Sequence, residues 1–79
     1  MKIEALIKMA NQIADFFAAE SGPAAPASVA THLRRYWEPR MRKDILTHYE
    51  LNAGEGLDEV ALEAVALLDA ERKAAVKQE

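Results

Sequence analysis

The sequence predicts an all-α fold: one small compact domain of three to four helices joined by short turns. Apolar residues recur at three- and four-residue steps through most of the chain. Alternating β-branched runs, the mark of strands, are absent, and Val, Ile and Thr are sparse. Proline and glycine cluster around residues 22–26, at Pro39 and at residues 54–56, which divides the chain into four segments.

The first segment spans about residues 2–19. Ile3, Leu6, Ala10, Ile13 and Phe17 form one stripe, and Ile7, Met9, Ala14 and Phe16 widen it beyond what one partner helix covers. Ser21, Gly22 and Pro23 stop it, since Gly suits the C-terminal cap and Pro cannot continue the helix. After a short turn, Pro26 can open a second helix to about residue 37, because the first helical position needs no N–H. Its apolar face is Val29, Leu33 and either Tyr36 or Trp37. Pro39 disfavours helical geometry at Glu38, so the helix ends or kinks there, and Pro39 can open a third over about residues 40–52. Met41, Ile45, Leu46 and Tyr49 make its inner face, and Asn52, Ala53 and Gly54 its stop. The last helix starts near Asp58, a good N-cap, with Leu57 and Leu62 spaced as a hydrophobic staple. Its stripe is Leu57, Val60, Ala61, Ala64, Leu67 and Leu68. Residues 1–79 read as a single domain whose charged tail, about residues 70–79, is expected to fray.

A chain of 79 residues buries only about 60% of its unfolded surface, so its own core is marginal. Scaffolds of this size gain stability from disulfides, a metal or a partner. The absence of cysteine removes disulfides, thiolate metal sites and a cysteine nucleophile. Ser21 and Ser28 lack the G-x-S-x-G elbow, and residues 54–56 lack the Lys-Ser/Thr of a phosphate loop. Glu55, Asp58, Glu59 and Glu63 are clustered, but without the ligand order of an EF-hand. An acidic first helical turn explains them. His32 and His48 are lone helical histidines. No stretch approaches the roughly 20 apolar residues of a membrane span, and the N-terminus has no signal-peptide pattern. The expected location is cytoplasmic.

The most informative stretch is His32-Leu-Arg-Arg-Tyr-Trp-Glu-Pro-Arg-Met-Arg-Lys43. Residues 34–43 carry a net charge of +4 in a chain of −3, leaving −7 elsewhere. Three readings are open: a solvated basic face with Trp37 in the core, a nucleic-acid surface, and a protein-docking surface with Trp37 as anchor. The −7 elsewhere opposes a polyanion. Arg and Trp are enriched at binding hot spots, and the apolar excess of the first helix needs cover, so docking is the favoured reading. The same excess allows the isolated chain to self-associate.

Met9-Ala-Asn-Gln-Ile-Ala-Asp-Phe-Phe17 and His32-Leu-Arg-Arg-Tyr-Trp-Glu-Pro-Arg-Met-Arg42 resemble the delta subunit of the soluble, NAD-dependent, molybdenum-containing formate dehydrogenases, over about residues 7–68. The resemblance implies a complex that oxidises formate and reduces NAD. In it, the large alpha subunit holds a molybdenum (or tungsten) pterin and iron–sulfur clusters, and the other subunits hold FMN and further clusters. It also implies a delta subunit that is cofactor-free, non-catalytic and active in assembly or stability. On the residues here, the expected partner-binding set is His32, Arg34, Arg35, Tyr36, Trp37, Pro39, Arg40 and Arg42, docking on the large subunit. Pro39 would fix the bend, and, if Trp37 points outward, Trp37→Ala would release the subunit without greatly unfolding it. The alternatives are a free-standing maturation factor for that enzyme and a small nucleic-acid-binding helical module.

Overall fold

The computed structural model describes residues 1–77. Four α-helices follow one another among them: α1 (Ile3–Ser21), α2 (Ala25–Tyr36), α3 (Pro39–Asn52) and α4 (Glu59–Lys77), with a 3₁₀ turn, Gly22–Ala24, between α1 and α2. The radius of gyration is 11.8 Å, close to the value of about 11.6 Å expected for one compact body of this length.

Local chemistry sets each boundary. α1 runs on to Ser21 and stops at Gly22, whose φ of 53° is a left-handed value that glycine adopts without strain. The Pro23 turn is helical, and Pro26 sits in the first turn of α2, where backbone N–H groups lack helical acceptors. Trp37 and Glu38 are extended, as a residue preceding proline must be, and Pro39 opens α3. α3 ends on Ala53 and Gly54, both at positive φ. Gly54 suits this turn because its φ of 73° lies in a region that L side chains rarely adopt, and Leu62, Leu57 and Tyr49 crowd the place of a Cβ. Leu57 and Leu62, the residues expected to form the staple, both lie against Gly54. Asp58 caps α4, its Oδ1 accepting from the Ala61 N–H at 2.9 Å.

One core joins all four helices. α1 contributes Leu6, Ala10 and Ala14; α2 Val29, Ala30, Leu33 and Trp37; α3 Ile45 and Leu46; α4 Ala61, Ala64, Val65 and Leu68. Five of these thirteen are alanines, which let helix backbones approach closely. In α4 the buried stripe is residues 61, 64, 65 and 68, one i, i+3, i+4, i+7 face. Val65 therefore takes the inward place, and Leu67, expected inside, is 42% exposed.

The expected fraying over about residues 70–79 lies partly, at 78–79, outside the described residues. Through Lys77 the backbone stays helical. Two ion pairs tie this stretch back: Arg34 of α2 grips Glu71 with two hydrogen bonds, at 3.0 and 2.6 Å, and Arg72 reaches Glu50 of α3 at 2.9 Å. Asn11 of α1 clamps the α3–α4 loop in the same way, donating to the Gly56 carbonyl at 2.9 Å and accepting the Asp58 N–H at 2.8 Å.

Trp37 is 5% exposed and belongs to this core. Its truncation to alanine is expected to cost about 3–5 kcal/mol, as for other large-to-small core changes, which is a large share of a small domain's stability. Chemical denaturation followed by circular dichroism checks this, since no other tryptophan reports folding. An unchanged midpoint for Trp37→Ala would mean that the ring is not a core element.

Candidate functional site

The arginine–tryptophan segment splits into an inward and an outward half. Trp37 turns into the core, and Arg34 and Arg42 are engaged within the fold. The expectation that Trp37 anchors a partner is corrected here. Its extended backbone at the end of α2 turns the indole into the core, and its N–H still closes the helix on Leu33 O at 3.1 Å. The expectation that Trp37→Ala would release a partner without unfolding the chain falls with it. Arg42 is half-buried and donates to the carbonyl oxygens of Arg34, at 3.1 Å, and Trp37. These acceptors lie at the end of α2, where carbonyls lack helical donors. Arg42 therefore caps the α2–α3 corner. Arg34 is exposed, but its guanidinium is committed to Glu71.

Outward go His32, Arg35 and Tyr36 on α2, and Pro39 and Arg40 at the start of α3. Tyr36 is 69% exposed. His32 is half-buried, with its ring 4.9 Å from Tyr36 and 5.9 Å from Phe17 of α1. Phe17 in turn meets Phe16 edge-on at 5.1 Å. A row of four rings thus crosses from α1 to α2, at spacings that suit aromatic pairs. Two open grooves flank it and share Phe17 and His32: one reaches Arg35 and Tyr36, the other Met9, Ile13 and Phe16.

Phe16 and Phe17 are the members of this face that the sequence alone does not place beside His32. Their signal was the unusually wide apolar surface of α1. The pairing itself depends on how α1 packs on α2, which residue spacing does not encode. Pro39, Arg40 and Lys43 are also exposed but lie on α3, outside the residues lining these grooves.

The histidine and serine candidates outside this segment bond within the fold. His48 Nε2 pairs with the Glu55 carbonyl at 2.7 Å, tying α3 to the following loop, and Asn52 Nδ2 lies 3.4 Å from His48 Nδ1. Ser28 Oγ donates to Ser21 Oγ at 3.2 Å. Among the described residues, no three His, Cys, Asp or Glu side chains gather as metal ligands. No helix of the described residues is long and apolar enough to cross a membrane.

The titratable groups displaced from their ordinary values are Asp69, Arg72 and Lys73, all on α4. Asp69 is 5% exposed and pairs with Arg72 at 2.5 Å and Lys73 at 2.9 Å. The hydrogen bond from Lys73 does most to hold its carboxyl below the usual carboxylate range, against burial, which pushes it up; Arg72 lowers it further. The same contacts raise Arg72 and Lys73. Perturbed groups cluster at functional sites, yet here every charge has a partner and the ties join α3 to α4, so the cluster stabilises the fold. A depressed carboxyl contributes stability above its unfolded pKa of about 4 and loses it as pH falls through the folded value. Asp69→Asn is therefore expected to cost about 1–2 kcal/mol near pH 7, and the gap to wild type should narrow progressively as pH falls below about 4. Urea midpoints at pH 7 and near pH 3 check this. A gap that stays constant over that range would exclude ion pairing as its source.

Comparison with known families adds one finding. The family model for the NADH-dependent formate dehydrogenase delta subunit FdsD matches residues 5–65 of the 79. That span contains α2, α3 and the whole aromatic face. No curated protein and no solved structure matches the chain.

Proposed function

The chain belongs to the family of NADH-dependent formate dehydrogenase delta subunits, and on that premise we propose that it is the non-catalytic accessory subunit of such a complex. It supports assembly or stability by docking on the large subunit. The molybdenum or tungsten pterin, the iron–sulfur clusters, FMN and the NAD site belong to the partner subunits, and the complex works in the cytoplasm.

The observation that carries this reading is the outward row Phe16, Phe17, His32 and Tyr36. Phe16 and Tyr36 are 58% and 69% exposed, a large aromatic surface for a chain whose thirteen-residue core is rich in alanine. Contiguous exposed apolar surface marks interaction sites. A protein that buries little of its own surface also gains from a partner what its core does not supply.

Co-expression of the chain, tagged at its C-terminus, with the formate dehydrogenase subunits of the same organism tests the reading. The expected result is co-elution at fixed stoichiometry, together with formate-dependent NAD reduction. Elution of the tagged chain alone, with the remaining subunits fully active and stable, would overturn it. Association with the unfinished large subunit only would make the chain a maturation factor that leaves the enzyme.

A further inference from the structure

Phe16 and Tyr36 are not part of the core, and folding alone gives no reason for two aromatic rings at 58% and 69% exposure. Around them the charge is one-sided. The two grooves are lined by apolar and neutral polar residues, with Arg35 as the one lysine or arginine, His32 between them, and no carboxylate. This occurs in a chain with 13 acidic and 10 basic residues. The neighbouring arginines are engaged within the fold, Arg34 by Glu71 and Arg42 by the end of α2. Among the described residues Arg35 makes no ion pair.

Resting on the subunit reading above, we propose that the α1–α2 face receives an apolar segment of the partner protein that carries a carboxylate for Arg35. Apolar side chains of the segment lie against Phe16, Phe17 and Tyr36, and the carboxylate pairs with the guanidinium at the groove's edge, where two parallel hydrogen bonds fit its fork. A second copy of this chain is a poorer occupant. Two-fold pairing sets one patch against itself, and this patch offers its own copy an arginine and no acid. The α3 side of the basic segment, with Arg40 and Lys43, lies outside the contact.

The test uses the co-expressed complex. Wild type, Phe16→Ser, Tyr36→Ala, Arg35→Glu, Arg35→Lys and Arg40→Glu are compared for retention, after circular dichroism has established that each is folded. A photoreactive phenylalanine analogue at position 36 is cross-linked in parallel. Truncating a hot-spot aromatic, or reversing a paired charge, is expected to weaken retention roughly tenfold or more. Arg35→Lys should fall between Arg35→Glu and wild type, Arg40→Glu should match wild type, and the cross-link should enter a partner segment containing Asp or Glu. If wild type is retained and Phe16→Ser and Arg35→Glu are retained equally, this face is wrong while the subunit reading stands. A cross-link joining two copies of the chain would overturn the partner assignment in favour of a homodimer. If wild type itself is not retained, the subunit reading fails and this inference with it.

Discussion

The two-residue corner at Trp37 and Glu38 governs how this chain presents itself. Pro39 forbids a continuous helix, so α2 must end and its last carbonyls need new donors. Arg42, four residues into α3, supplies them by reaching back to Arg34 O and Trp37 O. With the corner closed in this way, the indole of Trp37 belongs to the core to which all four helices contribute. The two residues just before it, Arg35 and Tyr36, remain on the outside. Moving Trp37 outward would remove the largest side chain from a core that has few large ones.

That scarcity shapes the rest of the molecule. Alanines at positions 10, 14, 30, 61 and 64 bring the helices close but bury little area each. The fold compensates with polar ties between elements distant in sequence: Asn11 to the α3–α4 loop, Arg34 to Glu71, Arg72 to Glu50. Exposed ion pairs contribute little individually. The bidentate Arg34 pair and the buried Asp69 cluster fix geometry as much as they add stability. The Arg34 pair holds α2 against α4, the Arg72 pair holds α3 against α4, and Asn11 holds α1 to the loop between α3 and α4.

Much of the fold was legible in the sequence because its signals are local. Pro39, Gly54 and the Asp58 cap each act within a few residues, and the helices begin and end near them. The family was legible too, from two blocks that lie within the matched span. The candidate binding face was legible only in part. Residue types told that residues 32–43 were unusual, but not which side chains point where. Tyr36 and Trp37 are adjacent, and either fits the stripe of α2; the corner geometry chooses Trp37. Arg42 reads as a surface charge until its cap acceptors are seen. Phe16 and Phe17 join His32 through helix packing, 15 or more residues apart in the chain. In α4, Val65 and Leu67 exchange roles for the same reason, since a stripe is fixed by the neighbours it meets.

The resulting picture is a subunit whose basic segment divides its labour. One half of it builds the corner, and the other half, with the phenylalanines of α1, forms the surface proposed to meet the enzyme. Hydrogen–deuterium exchange of the chain, free and within the formate dehydrogenase complex, tests this division most directly. The expected result is new protection in the second half of α1 and through α2, with the start of α3, around Arg40 and Lys43, unchanged. Protection confined to the start of α3, with α1 and α2 exchanging as in the free chain, would contradict it.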